Sequence, residues 1–286
     1  MKQFNPTSIG LGMFLMLTIC LITPQQSRAL QVLDHTVNFD KPDSKYSLTQ
    51  LTNNAEKGNV QAQYHLALCY QQGQNVPQDQ DKAIKWFEKA AAGGNAKSQL
   101  ALGIFYGGGI GVERDYVQSR KYLEQAASQQ EPEAYFYLGL LYYKGLRVPK
   151  LYFKAKDYFE LAAQKGNSDA QYFLGRMYYN GQGVTQNYNK AFEEFNKSAQ
   201  QGNKHAITML GMLYDTGQGV KKDIKKSVYY YTQAAKKNVP EAQLALGISY
   251  LTGHGIKADK HKAKDWLLKS CRQNNSSACE MVSNMD

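Results

Sequence analysis

Residues 170–184 read AQYFLGRMYYNGQGV, and 36 positions later residues 206–220 read AITMLGMLYDTGQGV. The same step links Ala62, Ser98, Ala134, Ala170, Ala206, Ala242 and Ala278. A second column holds Leu66, Leu102, Leu138, Leu174, Leu210 and Leu246, and a third Tyr70, Tyr106, Tyr142, Tyr178, Tyr214 and Tyr250. Spacings of three and four put these residues on one face of a helix, here called helix A. Between them runs Ala67, Gly103, Gly139, Gly175, Gly211 and Gly247, a column without bulk, where a second helix can approach closely.

A Gly-x-Gly-Val loop follows (Gly181 to Val184, Gly217 to Val220), and a helix B is predicted to start at Asp79, Asp115, Asn187, Asp223 and Asp259. These are good N-caps for the free amides of a first turn. Helix B carries core columns Ala83/Ser119/Ala155/Ala191/Ser227/Ala263 and Phe87/Leu123/Phe159/Phe195/Tyr231/Leu267. Small pairs such as Ala90-Ala91 and a Gly-Asn step (Gly94, Gly166, Gly202) close the unit. One helix pair cannot bury its apolar face alone, so neighbours must stack into an all-α solenoid. Residues 62–277 then hold six 36-residue repeats. Tyr46 to Glu56 is expected to be a lone helix B, with Ser47, Leu51 and Ala55 in the core columns, and 278–286 a truncated helix A. In repeat three Arg147 replaces the second loop glycine and Leu151 the capping Asp, so a locally irregular loop is expected there.

The N-terminal 29 residues read as an address. Lys2, the apolar run Ile9–Ile22 and Ser27-Arg28-Ala29 make a secretory signal cut after Ala29, and residues 30–61 a flexible lead-in plus the capping helix. Lipidation at Cys20 is the alternative, although Ile19 is a poor residue before a lipid-bearing cysteine. The 14-residue run is short for a bilayer span, so no integral span is expected after cleavage. Lys and Arg number 34 against 24 acids, and losing Lys2 and Arg28 with the leader still leaves a basic surplus. Those charges are interleaved with acids along the helices, which reads as a solvated surface. Export argues against nucleic acid as partner.

The columns Ala-x-x-x-Leu-Gly-x-x-Tyr-x-x-Gly-x-Gly-Val, then Asp-x-x-x-Ala-x-x-Trp/Tyr-Phe and Ala-Ala-x-x-Gly-Asn, resemble the Sel-one-like repeat family, relatives of the tetratricopeptide repeats, over roughly residues 46–281. The resemblance implies a right-handed α/α superhelical solenoid with partial caps at both ends. It also implies a non-enzymatic scaffold for protein–protein interaction, in the bacterial envelope or with a host factor, in the periplasm, secreted or at the cell surface. Cys271 and Cys279, eight apart, lie where two antiparallel helices can be joined. They look like the Cys-x7-Cys pair of the family's cysteine-rich branch, so a disulfide is expected. Some members of that branch are described as β-lactamase-like or penicillin-binding, and a cell-wall or peptidoglycan binder is the alternative function. No Ser-x-x-Lys occurs in the chain, which argues against that hydrolase chemistry.

No metal or cofactor is expected. The five histidines do not fall at metal-ligand spacing, and Gly107-Gly108-Gly109-Ile110-Gly111 is the repeat loop without the Lys-Ser/Thr of a phosphate loop. Cys69 shares a column with Phe105 and Leu141 and is expected to be buried.

With the winding of tetratricopeptide arrays, the concave face is lined by helix A. There Arg176 is the one charge in an otherwise apolar column, near Phe136, Tyr143, Tyr172 and Tyr179, with Asp169 and Asp215 in reach. Aromatics and arginine are the residue types of interface hot spots, so these seven residues are expected to grip a protein or extended peptide. The competing reading is packing between repeats, with Arg176 paired to Asp169 or Asp215.

Overall fold

The computed structural model describes residues 47–285; the leader, Cys20 and the lead-in through Tyr46 lie outside the described residues. Fourteen α-helices and no strand occur among the described residues. Helix α1 (Leu48–Glu56) is a lone helix B. The A/B pairs are α2 (Val60–Gln72) with α3 (Gln80–Ala92), α4 (Ala96–Gly108) with α5 (Tyr116–Ser128), and α6 (Pro132–Lys144) with α7 (Tyr152–Gln164). They continue as α8 (Ser168–Asn180) with α9 (Tyr188–Gln200), α10 (Lys204–Thr216) with α11 (Ile224–Lys236), and α12 (Pro240–Thr252) with α13 (Lys260–Cys271). A lone helix A, α14 (Ser276–Ser283), ends the order. Residues 47–167 form one compact unit and 168–285 another.

Side chains at the boundaries set the helix lengths. The carboxylates or amide oxygens of Asp79, Asp115, Asn187, Asp223 and Asp259 accept the amides of the first turn of helix B, as at Lys82 N, 2.9 Å from Asp79. Asn59, Asn95, Asn203 and Asn275 do the same for helix A. The asparagine after the repeat-closing glycine therefore starts the next unit, so helix A begins two residues ahead of the Ala62 column. Ser47 is not a core residue: it caps α1 and exchanges bonds with Gln50 in a capping box.

Leu151 caps nothing with its side chain, yet α7 starts on the common register. The expected irregularity of that loop does not occur. Its backbone tie, Leu151 N–H to Tyr142 carbonyl at 3.1 Å, repeats the bond that Asp79 makes to Tyr70 and Asp115 to Tyr106, so the backbone path does not depend on the side-chain cap.

The core of each pair lies where the glycine column meets the large column of helix B. A Cβ added at Gly139 would fall 2.6 Å from the Phe159 ring, and one at Gly211 2.7 Å from the Tyr231 ring. In the first unit Phe87 and Phe159 are fully buried; in the second Phe195, Leu210 and Leu267 are. A polar ladder runs beside this apolar seam. The buried Gln99 side chain donates to the Ala91 carbonyl of the preceding helix B and accepts from Gln129 at the end of its own pair, at 3.2 and 2.8 Å. Gln243 repeats this with Ala235 and Gln273, and Gln171 accepts from Gln201. The Ser198 and Ser270 hydroxyls, in the small column of helix B, donate to the carbonyls of Ser168 and Pro240, both at 2.7 Å.

A disulfide joins Cys271, the last residue of α13, to Cys279 in α14. So short a closed ring stabilises by about 2–3 kcal/mol through loop entropy. Its benefit is local, because each helix of a repeat array leans only on its neighbours.

Three outcomes are expected. Gly139→Ala should lower stability by about 1–2 kcal/mol, since the added Cβ would lie 2.6 Å from the buried Phe159 ring and the helix-propensity gain of about 1 kcal/mol offsets only part of that clash. Gly139→Leu should lower stability by about 3 kcal/mol or more, read by urea unfolding, because the Phe159 ring has no room to retreat. Reduction of the disulfide should speed amide exchange in α14 by about 30-fold or more while leaving α10 unchanged, read by hydrogen-exchange mass spectrometry.

Candidate partner-binding face

Asp169, Tyr172, Arg176 and Tyr179 follow one another at spacings of three, four and three on α8, which brings them to a single face of that helix. Asp169, Tyr172 and Arg176 are half-buried. The Arg176 guanidinium carbon stands 5.8 Å from the Tyr172 ring centre and 5.6 Å from that of Phe173, so aromatic faces back the cation. The Tyr172 ring in turn rests against Phe195 and the exposed His205 ring, each about 5.9 Å away. Burial pushes the Tyr172 phenol up; the Arg176 charge pulls against that, while Glu241 and Asp169 add to the rise. A planar donor fork, rings on its flank and carboxylates beside it therefore share one small surface.

Tyr179 and Asp215 lie deeper. Tyr179 packs on Tyr188 and donates its hydroxyl to the Gln218 side chain at 3.2 Å. Asp215 is 6% exposed and meets His254 Nε2 at 2.7 Å. Asp169 accepts from the Asn203 side-chain amide at 2.8 Å. Both carboxylates of the packing reading thus have a neighbour of their own, Asn203 for Asp169 and His254 for Asp215.

Phe136 and Tyr143 belong to the first unit, on α6, and are buried there. Phe136 packs on Tyr137 and Phe159, and Tyr143 on Tyr152 and Phe159. The expected seven residues separate by depth: Phe136, Tyr143, Tyr179 and Asp215 are buried, and Asp169, Tyr172 and Arg176 are half-buried.

Sequence reasoning passed over His254. It occupies the middle of a Gly-x-Gly loop, 39 residues after Asp215, and Gln218 stands at the same remove from Tyr179. The deep column of one helix A meets the following loop at that fixed offset, a signal present in the sequence at a spacing other than 36. Burial with the Asp215 charge nearby pushes the Tyr231 phenol far up, so it stays neutral. Among the described residues no three His, Cys, Asp or Glu side chains gather to hold a metal ion. Cys69 is buried and burial raises its thiol pKa, which makes it a poor nucleophile.

The Sel1 repeat family matches six consecutive segments: residues 60–95, 96–131, 132–167, 168–203, 204–239 and 240–275. Among solved structures, c5321, a protective antigen present in uropathogenic Escherichia coli strains and displaying an SLR fold, is 32% identical with a TM-score of 0.73. That likeness covers 83% of this chain and 51% of the other, so the chain spans about half the length of that relative. A Sel1 repeat protein from Oxalobacter formigenes is 34% identical with a TM-score of 0.72, covering 83% of this chain and 69% of that one. The search of curated proteins finds no match.

His254→Leu should leave the Asp215 carboxylate buried without its partner and lower stability by about 1–3 kcal/mol at neutral pH. The double change Asp215→Leu with His254→Leu should recover most of that loss, since Leu251 fills the Asp215 position one repeat later. A thermal-unfolding double-mutant cycle reads the coupling.

Proposed function

Because the chain belongs to the Sel1 repeat family, whose members are scaffolds for protein interaction, we propose that it is an exported, non-enzymatic scaffold holding an extended segment of a partner protein on the α8 face around Arg176. One observation carries this reading: in a helix-A column otherwise filled by Leu68, Ile104, Leu140, Met212 and Ile248, a half-exposed arginine stands against two aromatic rings. A buried cation in such a column would cost several kcal/mol in desolvation unless it were well paired. Half-exposed and stacked, it keeps that cost low and can offer N–H donors to a carboxylate or backbone carbonyl, with Tyr172 supplying apolar contact.

Export rests on three supports. Residues 1–29 have the composition of a secretory leader. The Cys271–Cys279 disulfide fits an oxidising compartment. The likeness to a protective antigen fits a protein displayed outside the cytoplasm, in the envelope or beyond it. No helix among the described residues is long and apolar enough to cross a membrane.

Crosslinking in intact cells from a photoreactive residue at position 205, beside Tyr172, should capture a discrete partner protein. Arg176→Ala should cut that capture about tenfold or more at a cost of only about 1 kcal/mol in stability. Arg176→Lys should fall between, since it keeps the charge and loses the fork. Capture indifferent to both changes removes the proposal. For export, the intact mass of the envelope or secreted form should correspond to a chain beginning at Leu30. A chain beginning at a lipid-bearing Cys20 would replace release by anchoring, and a chain retaining residues 1–29 would overturn cleavage.

A further inference from the structure

The second residue of left-handed backbone in the loop between helix A and helix B is Gly111, Gly183, Gly219 or Gly255 in four repeats, Asn75 in the first and Arg147 in the third. Its φ runs from 55° at Arg147 to 75° at Gly255. Glycine serves two ends there. It takes the left-handed conformation without strain, and it lets the loop close on the start of the previous repeat's helix B. A Cβ on Gly111 would overlap the Gln80 and Ile84 side chains; one on Gly219 would overlap the Tyr188 backbone; one on Gly255 would overlap Ile224.

Arg147 breaks this rule. It holds a conformation that an arginine rarely adopts, at a cost in backbone strain that a glycine would not incur. The residue of the previous helix B that matches Gln80, Tyr188 and Ile224 is Tyr116, at the start of α5. At this seam the surface opens into a groove of about 1120 Å³, lined by Tyr106, Arg114, Tyr116, Val117, Lys121 and Arg147 among others.

The charged side chains of the groove favour cations by three to two. Arg114, Lys121 and Arg147 are cations at its wall, and Arg114 is steadied by a 2.9 Å bond to the Gly108 carbonyl. Against them stand Glu113 and Asp115, and the Asp115 carboxylate is committed to the amides of Val117 and Gln118. Val117, one helical turn before Lys121, is 55% exposed. An exposed valine and the Tyr116 ring beside three cations form a surface whose complement carries carboxylates and an apolar group.

We propose that this groove docks an extended segment of a partner protein that carries carboxylates flanking an aromatic or large aliphatic residue. The carboxylates meet Arg147 and Lys121, and the apolar side chain covers Val117 against the Tyr116 ring. A polynucleotide is the less suitable occupant, because the acidic pair Glu113 and Asp115 interrupts the cations and an exposed valine offers nothing to a phosphate. The site lies wholly within residues 47–167 and does not rest on the α8 face.

The test uses the full chain and a fluorescent random copolymer of glutamate and tyrosine, followed by anisotropy at low and physiological salt. The copolymer should bind, polyglutamate should bind about tenfold more weakly, and oligothymidylate more weakly still. Arg147→Gly, which restores the residue found in four other repeats, should weaken binding about tenfold or more while the thermal midpoint holds or rises. Lys121→Glu should weaken binding as much, and Arg176→Ala should leave it unchanged, which separates this groove from the α8 face. Undiminished binding by Arg147→Gly overturns the proposal, as does a fall in its thermal midpoint, which would make Arg147 a structural residue. Polyglutamate binding as well as the copolymer removes the apolar half, and tighter binding of oligothymidylate replaces the protein segment with a nucleic acid.

Discussion

The close approach of helix A to helix B at the glycine column is the constraint on which the rest depends. With a hydrogen at Gly103, Gly139, Gly175, Gly211 and Gly247, the large residue of helix B lies directly on the helix-A backbone, under 3 Å from where a Cβ would stand. That distance fixes the register of the pair, since a slide of one residue would drive Phe159 into Tyr142 or Leu138. The register in turn fixes which side chains of helix A remain on the open face. Arg176 reaches that face because Gly175, its neighbour in sequence, points inward to Phe195.

A tight apolar seam settles distance but tolerates rotation, and the buried polar groups remove that freedom. Gln99 is bonded at one end to the helix B before it and at the other to the helix B of its own pair, so a single amide reads the position of both. A rotation of either helix would leave a buried amide or carbonyl unmet, at about 1–3 kcal/mol each. In repeats three and five Tyr135 and Ile207 take the place of this glutamine, so the ladder reinforces particular joints and the seam alone serves the others. Within each compact unit the repeats are thus held by shape throughout and by polar geometry at intervals, which is how an array tolerates local substitution without losing register.

Contacts that every repeat makes alike were legible in the sequence, and contacts that couple one position to a different one were not. Leu66, Gly103 and Tyr70 recur at 36 because each copy meets an identical neighbour, and the helix pairs follow from them directly. Gln99 with Gln129, Ser168 with Ser198 and Asp215 with His254 join positions 30 or 39 apart, and each occurs in only some repeats. Column reading discards such pairs as variation. The candidate site was legible in kind and not in depth. Tyr179 and Tyr172 look alike on a helical wheel, but Tyr179 falls under the next repeat's loop, where Gln218 and Tyr188 cover it, while Tyr172 stops at the edge beside His205.

The departures from the repeat then divide by what they cost. Leu151 in place of a capping Asp, or Ser198 in place of Ala162, leaves the helix boundaries where they were, and the hydroxyl of Ser198 even adds a bond. Such changes need no reason beyond drift. Arg176 and Arg147 differ, because each puts a charge where the other repeats carry an apolar side chain or a residue at ease with left-handed backbone. Helix registers are the same with and without them, so neither is needed to set the geometry of the repeat. Both stand at surfaces another chain can reach, where a charge that the repeat pattern does not call for can act on another molecule.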